Sequence, residues 1–248
     1  MTNFYLSSVI TILLSYDVVN SEFKSLPDYL HVCRRSQINI SNCIIDSAYF
    51  LKNKIAEGIP EFDLAPLDPM VIDLLIPSGG RDIKIETTNL RVTGASNFTV
   101  PYLEADIKRQ KYEFQVKFPH MHILGNYNLD GKIVRMAIKG QGDFDLDIDG
   151  VRSNVSMLGK ITNIDGLNYI RFDNVTVKIG IDRGRIELRN LFGGDKNLGE
   201  IINTAINSNF IMFFTELRPI IQKVVEKLVM ETVDKLTKLF TYEQLFPD

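Results

Sequence analysis

The sequence is poor in the residues on which most enzyme chemistry is built. It has three histidines and two cysteines in 248 residues, which supports neither a Ser-His-Asp site nor metal-assisted hydrolysis. It contains no G-x-S-x-G, no C-x-x-C and no Walker sequence, so the common nucleophile, redox and phosphate-loop signatures are missing. Gly140-x-Gly142 lacks the third glycine and the following helix of a dinucleotide loop. An excess of basic charge is missing as well. With 28 basic and 31 acidic residues the net charge is −3, which argues against a nucleic-acid partner. No apolar run is long enough to span a bilayer.

The longest such run, Phe4 to Tyr16, sits where a secretory apolar region sits. Val19 and Ser21 fit the small-residue rule for cleavage, so residues 1–21 read as a leader and 22–248 as the mature chain. No Lys or Arg precedes the run, and the competing structural reading is a buried N-terminal strand. With 45% hydrophobic and 24% charged residues, the remainder is globular and fits one large domain. In a secreted chain, Cys33 and Cys43 read as one disulfide closing a short loop. It would add about 2–3 kcal/mol by constraining the unfolded chain. A metal reading of this pair would need more ligands than the neighbouring His31. Sequons at Asn39, Asn97, Asn154 and Asn174 fit a surface-glycosylated protein.

Periodicity divides the chain. Residues 25–60 are helical around the cysteine loop, with Ile44, Ile45, Ala48, Tyr49, Leu51 and Ile55 at helical spacing. Residues 60–80, with Pro60, Pro66, Pro69 and Pro77, are expected to be extended. From Arg81 to Leu191 the period is two. Ile83, Ile85, then Leu90, Val92; Tyr112 to Phe118; Phe144, Leu146, Ile148; and Ile170, Phe172, Val175, Val177 with one slip, all alternate with polar neighbours. Turn signals at Ser78-Gly79-Gly80, Asp130-Gly131, Asp165-Gly166 and Asp182-Arg183-Gly184 predict antiparallel meanders with one buried face.

The last fifth carries an apolar helical stripe. At 100° per residue, Ile202, Ile206, Phe210, Phe213, Phe214, Leu217, Ile220, Ile221, Val224 and Leu228 fall within about 60° of one line. One helix from Leu198 to Phe240 would be about 65 Å long, against a radius of gyration of about 17 Å for a compact domain of this size. Pro219 is the expected bend. The stripe keeps its phase there, so a modest kink is expected rather than a break. Past Leu228 the stripe drifts, and the last turns should leave the sheet or show it a new face. The predicted fold is α+β: a strongly curved antiparallel sheet wrapped around the long C-terminal helix, with an apolar tunnel between them.

Two patterns invite metal chemistry. Asp145, Asp147, Asp149 and Gly150 resemble the start of an EF-hand loop, but Ser156 stands where the bidentate Glu belongs. A strand with Phe, Leu and Ile inward and the aspartates in water is the simpler reading. His120-x-His122 puts two imidazoles on one strand face with no third ligand in view. No metal or other cofactor is expected.

Several blocks resemble the takeout and haemolymph juvenile-hormone-binding protein family of insects. They are Leu26-Pro-Asp-Tyr-Leu-x-x-Cys33 with Cys43, Glu57-Gly-Ile-Pro60 with Pro66-Leu-Asp-Pro69, and Leu124-Gly-Asn-Tyr-Asn-Leu-Asp-Gly131 with Gly140-x-Gly142. Asn190-Leu-Phe-Gly-Gly-Asp-Lys-Asn-Leu198, Asn207-x-Asn209 and Glu216-Leu-Arg-Pro219 complete the ordered set. The resemblance implies a secreted carrier that is not an enzyme and takes a juvenile-hormone-like terpenoid, a fatty acid or another lipid in an internal tunnel. The hormone-binding members carry a further cysteine pair that this chain lacks, so it looks closer to the takeout branch. The expected wall is Ile206, Phe210, Phe213, Phe214, Leu217, Ile221 and Val224 from the helix. Val92, Leu103, Phe114, Val116, Leu124 and Met136 complete it from the sheet. A monomer without stable membrane insertion is expected, with any protein receptor open. The competing readings are an interaction protein on the same fold with its tunnel collapsed, and a lipid-ester hydrolase.

Overall fold

The structure is a computed structural model that describes residues 26–72, 83–133 and 135–248. The leader at 1–21, Pro77 and the turn at Ser78-Gly79-Gly80 lie outside the described residues.

Two strands dominate. β4 (Lys111–Ile133) and β5 (Met136–Ile164) pair antiparallel along their whole length, from Lys111 opposite Leu158 to Ile133 opposite Met136. β1 (Met70–Ile72) pairs β2 (Ile83–Thr93), which pairs the second half of β4. β3 (Thr99–Asp106) pairs its first half. On the far side β6 (Leu167–Gly180) pairs β5 from Arg152 to Ile164, and β7 (Arg183–Leu188) pairs it from Phe144 to Asp149. The described residues form one open sheet of seven strands.

Most of the expected strands are present, with two corrections. Asp130-Gly131 is not a turn: both residues lie within β4, whose pairing with β5 runs on to Ile133 opposite Met136. Asp182-Arg183-Gly184 does not close a hairpin, because β6 and β7 both pair β5, end to end. Asp165-Gly166 behaves as expected. Their φ values of 52° and 84° are the two left-handed residues a tight hairpin turn needs. The slip expected between Phe172 and Val175 is a β-bulge, where the register moves from Asn174–Leu158 to Phe172–Gly159.

Half-way along β4 and β5 the buried face changes parity. Tyr112, Phe114 and Phe118 face inward on β4, then Met121, Ile123, Tyr127 and Leu129. On β5 the inward set passes from Phe144, Leu146 and Ile148 to Val151, Val155 and Met157. The register holds throughout, so the change is a local backbone rotation and not slipped pairing. It falls at Pro119-His120 and at Gly150, whose φ is 64°. A Cβ on Gly150 would lie 2.0 Å from Asp182 Oδ2. The β2–β3 and β6–β7 junctions lie at the same level, so the sheet has a corner dividing a half built from β1, β2, β4, β5 and β7 from a half built from β3, β4, β5 and β6.

The N-terminal helices are α1 (Ile40–Phe50) and α2 (Lys52–Glu57). The Cys33–Cys43 disulfide is formed, with its sulfurs 2.05 Å apart. The C-terminal rod is two helices, α3 (Lys196–Ser208) and α4 (Phe210–Leu239). The break is at Asn209, at φ −130° and ψ 34°, not at Pro219, which lies inside α4. Phe210, the first residue of α4, presses on β7, and a Cβ on Gly184 would meet its ring at 2.2 Å. At the far end Leu236, Leu239 and Phe240 leave the main core for a second cluster with Ile59 and Phe62. A short helix, α5 (Tyr242–Leu245), follows behind a capping box of Thr241 and Gln244.

The two helices cover the sheet's open edge through side chains. On β7, the backbone N–H groups of Ile186 and Leu188 donate to Oδ1 of Asn207 and Asn203, at 2.8 and 2.9 Å. The same amides donate back to Ile186 O and Leu188 O, at 2.8 and 2.9 Å. On β6, Val177 N–H donates to Glu226 and Ile179 N–H to Gln222, at 2.9 and 3.1 Å. Both pairs are spaced four apart, so each presents two acceptors on one helix face to successive outward N–H groups of a strand.

Replacing Asn207 by Leu keeps the bulk but strands the N–H and C=O of the buried Ile186. The expected loss is about 1–3 kcal/mol in denaturant unfolding, with Glu200→Gln on the same helix as a near-neutral control. An Asn207→Leu protein as stable as the parent would contradict the clamp.

Candidate ligand-binding interior

The helical stripe delivers Ile206, Phe210, Phe213 and Phe214 to the core as fully buried side chains. Leu217 and Ile221 also pack on it but stay half-buried. Beyond Ile221 the core-facing line runs through Val225, Val229, Met230 and Val233, with Val224 half-buried beside it. A drift of one residue after Pro219 is enough for this change, which the ideal 100° wheel does not carry.

From the sheet, Val92 is buried. Phe114 and Met136 are half-buried and packed on the core. Val116 lies on the same inward row as Phe114, and Leu103 stands opposite Phe114 in register; both are half-buried. Leu124 is a correction: it is exposed, on the outer face, because the parity change at Pro119-His120 turns even positions of β4 outward from there on. The residues that take its place inside are Met121 and Ile123, with Leu146 and Ile148 across the ladder. Sequence reading placed Leu146 and Ile148 inward but missed Met121 and Ile123, although Phe118-Pro-His-Met121 shows the shift once Pro119 is taken as its cause.

The facing walls share one property. Leu217, Ile221, Val225 and Val229 on α4, and Phe114, Met121, Ile123 and Ile148 on the sheet, point at one apolar interior yet remain half-buried. Close packing at the density of a protein interior buries such side chains.

Polar groups collect at one end of this interior. Gln110, 2% exposed, accepts from the Tyr112 hydroxyl at 3.0 Å and donates through Nε2 to Ile107 O. The Tyr242 hydroxyl donates to the same carbonyl at 3.5 Å. Burial, with Tyr242 adding to it, pushes the Tyr112 phenol well above its ordinary value. In the other half Tyr127 donates to Arg189 O at 2.6 Å, and burial followed by the charge of Asp143 raises it to about 12. The Tyr112 and Tyr127 phenols are therefore neutral hydrogen-bond donors at physiological pH.

The outer face at the corner is charged. Asp145, Asp147 and Asp149 point to solvent while Phe144, Leu146 and Ile148 point inward, as the strand reading expects and as an EF-hand loop does not. His122 Nε2 lies 2.8 Å from Asp145, and His120 lies 2.8 Å from Asp149 and 3.3 Å from Asp147. Arg183 reaches Asp149 at 2.6 Å. The fold therefore brings carboxylates to the histidine pair that sequence spacing left alone, with His122, Asp145 and Asp147 presenting ligand atoms within 4.8 Å of one another. The sulfurs beside His31 are consumed by the disulfide.

A groove of about 1010 Å³ lies elsewhere, between β7 and the start of α3. Its lining is mixed, with Arg185, Glu187, Asn203 and Asn207 beside Ile186, Leu188 and Leu191. None of the side chains expected to wall an apolar tunnel borders it. The sequon residues Asn39, Asn97, Asn154 and Asn174 are all exposed.

The sequence profile of the haemolymph juvenile hormone binding proteins matches residues 9–247. The chain is 22% identical over 224 residues to the circadian clock-controlled protein daywake of Drosophila melanogaster, covering 86% of each chain. It is 21% identical to daywake of Drosophila yakuba over the same shares. Among solved structures, Takeout 1 of Epiphyas postvittana superposes with a TM-score of 0.74 at 16% identity, over 88% of this chain and 100% of that one. At that identity the likeness shows the fold.

The corner ion pairs give stability an acid limb. Arg183, and after it His120, hold the Asp149 carboxyl below its ordinary 3.8. A depressed carboxylate contributes stability that is present above the ordinary value and is lost as pH falls through the folded value. Melting curves of parent and Asp149→Asn between about pH 7 and about pH 3 should therefore differ most at the upper end and converge on acidification. A difference independent of pH would contradict this.

Proposed function

Because the chain belongs to the haemolymph juvenile hormone binding protein family, we propose that it is a secreted, non-catalytic carrier. Its cargo is a small lipophilic molecule held between α4 and the inner face of the sheet. The observation that carries this reading is the set of apolar side chains from helix and sheet that face one interior and yet stay half-buried there. The edge clamps support it too, since they tie the polar flank of α4 to β6 and leave its apolar face turned across the sheet.

The energetics suit such a cargo. Burying a chain of about twelve methylenes is worth roughly 10 kcal/mol at about 0.8 kcal/mol each, and micromolar affinity requires about 8 kcal/mol. The wall needs few polar contacts to reach that. Secretion accords with the apolar leader, the disulfide and the exposed sequons. No described helix is long and apolar enough to cross a membrane.

Mass spectrometry of an organic extract of the purified protein should find a lipophilic molecule, and fatty compounds should displace a fluorescent apolar probe. Ile221→Trp places an indole in the interior. It should weaken probe binding at least about tenfold while costing well under the 1–3 kcal/mol of an overpacked core. No extractable lipid, no displacement, and a strongly destabilised Ile221→Trp protein would together mean a filled interior and an interaction protein instead. Protein recovered from the medium of expressing insect cells should begin near Glu22; a chain that stays in the cell and begins at Met1 would contradict secretion.

A further inference from the structure

Among the described residues the buried polar side chains are Gln110, Ser153, Thr237 and Thr241. Gln110 bonds the Tyr112 hydroxyl and Ile107 O. Thr241 caps α5, accepting from Gln244 N–H at 3.2 Å. The Thr237 Oγ1 is sealed, so nothing can reach it. Ser153 differs from all three. It is 7% exposed, and its hydroxyl makes no hydrogen bond among the described residues. Unlike Thr237 Oγ1, that hydroxyl is not sealed. A buried hydroxyl left unpaired is costly, and each one in a native protein calls for an explanation.

Its place on the strand aims the hydroxyl into the interior. Val151, Ser153, Val155 and Met157 form the buried row of β5, alternating with the outward Arg152, Asn154, Ser156 and Leu158. In register, Ser153 stands between Val116 of β4 and Ile179 of β6. Gln222 of α4 accepts from Ile179 N–H, which sets this rung level with the turn of α4 that carries Ile221 and Val225. Val116, Ile221 and Val225 are all half-buried. Ser153 is thus a single hydroxyl on an apolar wall whose neighbours keep exposed surface toward the same interior. The rung of Tyr112 is at Met157, about 13 Å further along the strand. The hydroxyl is therefore separate from the polar end, where the Arg35 guanidinium lies over the Tyr242 ring.

We infer that Ser153 is the hydrogen-bonding contact of the chamber wall, pairing with a neutral oxygen (ester, ketone or alcohol) on an otherwise hydrocarbon guest. The inference rests on the carrier reading above. No charged side chain shares the inward row of β5. Arg152 and Lys178, the nearest cations along β5 and β6, belong to the outward positions. On α4, Arg218 and Glu226 lie one turn before and one turn after Gln222, on the flank that meets β6, and their charges are opposite. Glu226 is engaged with Val177 N–H. A carboxylate drawn into this row would lack a cation partner, and a buried ion without one is expensive. A neutral oxygen needs only the hydroxyl.

The test measures displacement of an apolar fluorescent probe from the full mature chain by dodecane, 1-dodecanol, methyl laurate and laurate. Ser153→Ala should weaken dodecanol and methyl laurate about fivefold, the weight of one neutral hydrogen bond, and change dodecane by less than about twofold. Ser153→Thr keeps the hydroxyl and suits a strand, so it should bind the alcohol and the ester within about twofold of the parent. Laurate should bind the parent more weakly than methyl laurate does. The ligand-free Ser153→Ala protein should melt no lower than the parent, because the hydroxyl removed has no partner. Unchanged binding of dodecanol and methyl laurate in Ser153→Ala, as when a water holds the hydroxyl, would overturn the assignment. So would an equal loss for dodecane, a lower melting point, or tighter binding of laurate than of methyl laurate. If the parent binds none of the four, it is the carrier reading that fails, and the assignment with it.

Discussion

A sheet this long cannot leave its last edge bare. β6 and β7 lie end to end along β5, and their outward N–H and C=O groups invite another strand, from this chain or from a second copy. The protein answers with side-chain acceptors from helices. Asn203 and Asn207 bond both backbone groups of alternate residues on β7, while Gln222 and Glu226 take the N–H groups of β6. This edge seal fixes where α3 and α4 run, and their location defines the interior. A helix held by its polar flank at the sheet's rim turns its apolar face across the sheet, toward β4, without having to touch it. Phe210, pressed onto Gly184, anchors the joint between the two helices.

The corner is the second constraint. A flat ladder of this length would expose half its apolar face beyond the helices. Rotation of the backbone at Pro119-His120 and Gly150 lets the two halves of β4 and β5 keep one interior while exchanging which residues look into it. The outer side of the same corner collects His120, His122, Asp145, Asp147, Asp149 and Arg183 into ion pairs. Exposed pairs of this kind contribute little each, but they occupy the charge that the alternating Asp run must place somewhere. The sequence Phe144-Asp-Leu-Asp-Ile-Asp149 is explained by that division, apolar inward and acidic outward.

How much of this was legible beforehand depends on whether a residue's role is local or long-range. The strands, the tight turn at Asp165-Gly166 and the bulge before Val175 follow from period and from residues that tolerate left-handed backbone. The helix stripe correctly names Ile206, Phe210, Phe213, Phe214, Leu217 and Ile221 as core-facing. The break at Asn209 was obscured by Pro219, a stronger helix breaker that the long helix absorbs in its interior. Leu124 was misplaced because alternation was carried across Pro119 without a parity change. The amide clamps were invisible in principle: Asn203, Asn207 and Gln222 look like ordinary polar positions on a helix until a strand edge is set beside them.

The account stands or falls on whether the space between α4 and the inner sheet receives a guest. Methyl-labelled protein on a perdeuterated background, loaded with a protonated fatty ester, offers the most direct measurement, by intermolecular nuclear Overhauser contacts. The account predicts contacts from the chain protons of the ester to the methyls of Ile221, Val225 and Val229 on the helix and of Ile123 and Ile148 on the sheet. Contacts confined to exposed methyls such as Leu158, Ile201 and Ile211, with the interior methyls silent, would contradict it.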